Sequence, residues 1–193
     1  MDFDLLNAVS YLEKPDGIIA APFRNRYLLL CRFSQPEAVG KLFRLSRLQR
    51  ERQPILLGYD YDALRPYWGT LPEKALRLMQ NAWPGALIIR LPQEGGSCNT
   101  FESGGLGMMQ TDNALLLDML ALQPGGILLA VDACRDDEAP AQSAEAVYNT
   151  FGDDVDFVFA LDERIVPSLP ETIVSIEADG SMRILRSGEV VID

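Results

Sequence analysis

Short apolar runs bounded by turn residues alternate along this chain with longer segments whose apolar positions recur at helical spacing. That alternation restricts the architecture more than any other feature. Residues 18–21, 27–31, 54–58, 86–91, 106–110, 126–131, 157–161, 172–177 and 182–186 are aliphatic and β-branched enough to read as strands. Between them, residues 2–13, 36–49, 71–82, 113–122 and 143–151 read as helices, with a shorter helical turn at 61–68. The first helix is expected to present Phe3, Leu6, Val9 and Leu12 and to stop at Lys14, Pro15, Asp16 and Gly17. Asp179-Gly180 marks a hairpin turn between the last two strands, and residues 92–105 read as a polar, glycine-rich loop without periodicity. The expected fold is α/β with an α+β character, a single twisted mixed β-sheet flanked by helices, in one domain over residues 1–193.

Charge is distributed unevenly. Residues 21–57 hold Arg24, Arg26, Arg32, Lys41, Arg44, Arg47, Arg50 and Arg52 against Glu37 and Glu51, a local +6 in a chain of net −11. The remainder therefore sums to −17, so an anionic ligand has one obvious face to approach. Pro36-Glu37 opens the helix of this stretch, which turns Ala38, Val39, Leu42 and Leu45 inward and Lys41, Arg44, Arg47 and Arg50 outward. The plainer reading of that face is a solvated surface whose arginines pair with acids elsewhere in the chain, such as Asp136, Asp137 and Glu138.

The chain has no histidine, which excludes a Ser-His-Asp or Cys-His hydrolase. Cys31, Cys98 and Cys134 are widely spaced, fit no metal-ligand pattern and are expected to be reduced thiols, so no metal is expected. The first residues are acidic where a secretory leader would be basic, and the apolar runs are too short to span a bilayer. A cytoplasmic, non-membrane protein is expected.

The order of several blocks carries a resemblance: IIAAP, PEAVGKLFRL, ILLGYDYDALRPYW, WPGALIIRL, LGMMQTDNALLLDML, GGILLAVDAC, SAEAVYNTFG and PETIV followed by ILRSG. Over residues 17–188 the chain resembles the YrdC/YciO family, with its YrdC/RibB-like fold. Active members of that family make threonylcarbamoyl-adenylate for the tRNA modification threonylcarbamoyladenosine. The resemblance implies that threonine and bicarbonate form a carbamate that attacks the α-phosphate of ATP and releases pyrophosphate, with ATP and magnesium required only if that activity is kept.

The family's motif positions are largely replaced. Where active relatives carry Pro-Thr-Glu, this chain has Pro22, Phe23 and Arg24; where they carry Lys-x-Arg, it has Ser46, Arg47 and Leu48. Their Ser-x-Asn corresponds to Asp132, Ala133 and Cys134, and a strand arginine to Met109. An ionised Asp132 facing a phosphate would repel it by roughly 1–4 kcal/mol. Phe23 and Met109 are expected to fill or narrow the cleft. Thr111, Thr172 and Arg186 match retained family positions, and Arg50 and Arg52 replace Lys-x-Arg if the helix is one turn longer.

Three functions stay open on this reading. The first is a catalytically degenerate homologue that retains nucleotide or RNA (tRNA) binding through Arg24, Arg26, Arg44, Arg47, Arg50, Arg52, Thr111, Asp132, Thr172 and Arg186. The second is an active synthase with a remodelled site, and the third a module that docks a protein partner by charge complementarity.

Overall fold

The computed structural model describes residues 3–46, 53–68, 71–90, 106–135, 138–161, 165–177 and 179–192. In chain order the elements are α1 (Phe3–Leu12), β1 (Ile19–Phe23), β2 (Arg26–Cys31), α2 (Pro36–Ser46), β3 (Ile55–Gly58), α3 (Tyr61–Leu64), α4 (Glu73–Ala82), β4 (Leu87–Arg90), β5 (Gly107–Gln110), α5 (Ala114–Ala121), β6 (Ile127–Asp132), α6 (Ala144–Phe151), β7 (Phe157–Val158), β8 (Thr172–Ile176) and β9 (Met182–Arg186). The fold is α/β, its strands belonging to a mixed sheet flanked by helices. The loop expected at residues 92–105 lies outside the described residues.

The chain divides into two compact units, each made of two separate stretches. The first comprises Met1–Pro54 and Leu128–Ser168, the second Ile55–Ile127 and Leu169–Asp193.

In the first unit the strand order is β7-β1-β2-β6. β1 and β2 form an antiparallel hairpin, β7 runs parallel to β1, and β6 antiparallel to β2. Every residue of β1 and β2 is buried, as an unbroken apolar run requires when both faces of the sheet are covered. α1 packs on β1 and β7, α2 on β2, and α6 on β7. Helix α2 buries Ala38, Leu42 and Leu45 of the four residues its periodicity turns inward, and Val39 is half-buried. Helix α1 does not bury the expected set: Leu5, Ala8 and Leu12 face inward, while Phe3 is 75% and Leu6 46% exposed. At 3.6 residues per turn a strict spacing of three drifts around the axis. Phe3 and Leu12 end about 180° apart, and no single face can hold both. Strand β7 is also shorter than expected, stopping at Val158 although the Phe159 amide still donates to the Ala20 carbonyl.

In the second unit the order is β3-β5-β4-β8-β9. β3 and β5 are parallel, β4 is antiparallel to β5 and parallel to β8, and β8 and β9 close the unit as an antiparallel hairpin. The hairpin turn falls at Asp179-Gly180 as expected. Gly180 takes a φ of 78°, a left-handed conformation glycine adopts freely, and the Asp179 carboxylate accepts the Ser181 amide. Helix α3 packs on β3 and β5, and α4 on β4.

Candidate functional site

The sequence-predicted residues fall into both units. In the first they collect where the β1–β2 hairpin meets the end of β6. Phe23 and Arg26 are directly paired, so Arg24 and Asn25 form a two-residue turn, with Arg24 at a φ of 55°. The carbonyl of Arg24 accepts the Val166 amide. Tyr27 fastens the hairpin. Its hydroxyl donates to the Phe159 carbonyl at 2.8 Å, its amide to the Ala141 carbonyl, and its own carbonyl accepts the Ala133 amide.

Arg26 is buried, and its Nε donates to Asp132 Oδ1 at 2.5 Å. Register explains the reach: Asp132 pairs with Leu28, and Arg26 lies two residues along β2 on the same face. Its guanidinium also lies over the Phe23 ring, 5.4 Å from the centroid. Asp132 is thus a paired carboxylate, not the unbalanced charge the motif comparison suggested. Phe23 is fully buried, so the position where active relatives carry a hydroxyl is core.

Other charges of the basic stretch are also taken up within the unit. Lys41 Nζ lies 3.5 Å from Asp16 and Arg32 3.4 Å from Glu13, acids of the turn after α1, while Asp136 and Asp137 of the acidic loop lie outside the described residues. Arg44 is exposed in the last turn of α2, where a cation complements the helix dipole. Ser46 is buried, its hydroxyl donating to the Leu42 carbonyl. Arg47, Arg50 and Arg52, with the question of their register, lie outside the described residues. Burial pushes the Cys31 thiol up to about 12, which leaves it inert near neutral pH, and Cys134 is buried as well.

In the second unit, Thr172 and Arg186 belong to the β8–β9 hairpin. The Thr172 hydroxyl donates to the Val190 carbonyl at 2.7 Å and accepts the amides of Gly188 and Val190 at 3.1 Å. That hydroxyl is fully used in holding residues 188–190. Arg186 donates from Nε to the Glu171 carbonyl and from Nη2 to the Glu171 carboxylate at 2.8 Å, and Glu171 has no solvent exposure. Met109 is fully buried. Thr111 is buried, its hydroxyl accepting the Asn113 amide, beside a cleft of about 500 Å³ that Tyr59, Asp60, Gln110 and Asp118 also line. The two carboxylates make that cleft a poor place for phosphate.

Sequence reasoning missed two residues here. Glu171 is one, standing beside the retained Thr172. Arg90 is the other: it ends β4, and burial together with the charge of Arg186 holds its guanidinium below the usual arginine range. The signal was an arginine inside an otherwise aliphatic run, ALIIRL.

A family model described as telomere recombination, covering Sua5, YciO and YrdC, matches residues 12–188. The chain belongs to the Sua5/YciO/YrdC family. A threonylcarbamoyl-AMP synthase from Idiomarina loihiensis is 30% identical to this family member over 147 residues, which cover 74% of the chain and 78% of the relative. Among solved structures, P. abyssi Sua5 complexed with L-threonine superposes with a TM-score of 0.80 at 18% identity, over 95% of this chain and 54% of that protein. E. coli YciO superposes with a TM-score of 0.78 at 20% identity, over 95% of this chain and 88% of that one. The chain thus spans about half the length of the Sua5 protein and most of YciO.

Proposed function

We propose that this Sua5/YciO/YrdC protein binds a nucleotide or an RNA without making threonylcarbamoyl-AMP, as a catalytically degenerate relative of the enzymes of tRNA threonylcarbamoyladenosine synthesis. The observation that carries the reading is the Arg26–Asp132 pair. A carboxylate replaces a neutral donor of the family's Ser-x-Asn position and takes a buried arginine of the basic stretch as its partner. Stabilising charge at an α-phosphate needs donors and cations free to turn toward it. Arg26, Lys41 and Arg186 each have a carboxylate partner within the chain. Retained binding rests on the +6 of residues 21–57 and on the exposed Arg44.

The 30% identity to a threonylcarbamoyl-AMP synthase favours a second reading, an active synthase with a remodelled site. Pyrophosphate release from ATP with threonine, bicarbonate and magnesium separates the two. The degenerate reading expects no release above the uncatalysed background, and a signal that requires threonine overturns it. The same reading expects millimolar ATP, AMP or a short RNA to raise the melting temperature. A ligand at 100 times its dissociation constant adds about 2.7 kcal/mol, and no shift with any of them removes the binding half of the proposal.

A further inference from the structure

Leu76, Met79 and Gln80 of α4 and Trp83 at its end recur at i, i+3, i+4 and i+7, which sets them in one stripe along the helix. Tyr61, the first residue of α3, and Gln110, the last of β5, line the same cavity of about 420 Å³, a volume of the order that small-molecule sites have. Backbone contacts hold the walls in place. The Asp60 carboxylate accepts the Ala63 amide and fixes the start of α3. The turn after α4 is tied to the end of β5 by the Gly85 amide, which donates to the Gln110 carbonyl at 3.0 Å. Trp83 Nε1 donates to the Leu87 carbonyl at 2.7 Å, so the indole keeps one orientation and its single polar atom is used.

The cavity is aromatic without being charged. Trp68 is buried behind it, its ring centroid 5.0 Å from that of Tyr61 and 6.2 Å from that of Trp83. Met79 adds a polarisable sulfur. None of the described residues that line the cavity carries a charge, so it offers no partner to a phosphate, a carboxylate or an ammonium group. Its polar side-chain groups are the Tyr61 hydroxyl and the carboxamides of Gln80 and Gln110, and none of the three is hydrogen-bonded to another described residue. An aliphatic occupant would take those amides from water and return nothing. A flat ring with a donor and an acceptor on its edge pairs with them and stacks on the aromatic walls.

Position separates this cavity from the cleft that the family resemblance implies. Met109, the strand position matched to an arginine of that cleft, directly precedes Gln110 in β5. Successive strand residues point to opposite faces of a sheet, so the cavity lies on the other face.

We propose that this cavity binds an uncharged, planar heteroaromatic ring, with Tyr61 and Trp83 as its apolar walls and Gln80 and Gln110 reading the ring's edge. A free ring compound is one source and an unstacked base of a nucleic-acid strand the other. The site does not rest on the reading of the basic stretch, which concerns residues 21–57.

The chain's two tryptophans are Trp68 and Trp83, so its intrinsic tryptophan fluorescence reports on this cluster. Titration of the full chain, followed by fluorescence and calorimetry, takes nicotinamide, adenosine and uridine in one arm, a single-stranded oligonucleotide in a second and hexanol as the aliphatic control. A ring that binds should change the emission saturably. Gln80→Leu and Gln110→Leu keep the bulk and remove the amide, and each should weaken binding about tenfold, as loss of a hydrogen bond that leaves its partner unpaired does. Neither glutamine is a core residue, so both variants report on binding in a folded chain. Trp68→Phe should keep the response through Trp83, and Arg77→Gln, on the exposed side of α4, should change nothing. Saturation by the free rings alone, weakened in the leucine variants, supports the site and assigns a small molecule. Saturation by the oligonucleotide alone, weakened likewise, supports it and assigns a base within a strand. Binding equal in the parent and both leucine variants, hexanol bound as tightly as the rings, or no saturable response to any probe overturns the site and leaves the reading of the basic stretch standing.

Discussion

Arg26 and Asp132 are 106 residues apart in sequence and 2.5 Å apart in the fold, and neither is intelligible alone. Read in isolation, Asp132 is a negative charge where a phosphate would have to sit. Beside Arg26 it is the counterion of an arginine that is 7% exposed. Removing it takes a carboxylate partner from that buried charge. Asp132→Asn should therefore cost about 2 kcal/mol in urea unfolding, below the value for a fully enclosed pair because Asp132 keeps partial access to solvent. Arg26→Met with Asp132→Leu should recover most of the loss, and a single substitution within 0.5 kcal/mol of the parent, on the scale of ordinary surface changes, would remove the pair from the account. The sequence shows which motif residues are gone, since that is a matter of identity at a position. It does not show what the replacements touch, because Arg26–Asp132 and Glu171–Arg186 are made by strand neighbours distant in the chain. The same holds for Thr172, whose retained hydroxyl is spent on the backbone of residues 188–190.

Among elements, the turn after α1 and the starts of β1 and β7 are tied through Asp156. Its carboxylate accepts Lys14 Nζ at 2.7 Å and the Ile18 amide at 3.0 Å, while its own amide donates to the Ile18 carbonyl. Burial alone would push the Asp156 carboxyl up, but the hydrogen bonds from Lys14 and Ile18 outweigh it and hold the group below its ordinary value of 3.8. The bond to Asp156 raises Lys14 above 10.5. A depressed carboxyl contributes stability above its unfolded pKa and loses it as pH falls through the lower folded value. A raised ammonium contributes below its unfolded pKa and loses it as pH rises through the higher folded one. The difference in melting temperature between the parent and Asp156→Asn should hence be level from about pH 5 to 9 and shrink on acidification below about pH 4. A difference that grows on acidification would contradict the pairing. Helix and strand identities were legible here because period and turn chemistry are local. The face of α1 was not, since it depends on how a helix of exposed Phe3 and Leu6 is rotated against β1 and β7.

For the whole molecule, alternation of apolar runs and helical segments carried the fold class, and the ordered blocks carried the family. Nothing in the pattern disclosed that the chain forms two compact units, each completed by a late return of the backbone. Within the second unit, β4 pairs with β5 on one side and with β8 on the other. A chain truncated after Ser168 should lose cooperative protection of residues 87–90 from amide exchange, because Thr172, Ile173, Val174 and Ser175 supply that strand's partner. Undiminished protection would show that residues 55–127 hold their fold unaided. The same late segment brings Glu171, which lies against Arg186 without solvent exposure. A carboxylate fixed in place competes as an internal ligand, at an effective concentration on the order of millimolar or more. Any anion directed at Arg186 meets that threshold before it meets the arginine. An anion bound at Arg186 would therefore have to be abundant or hold the protein at a second point.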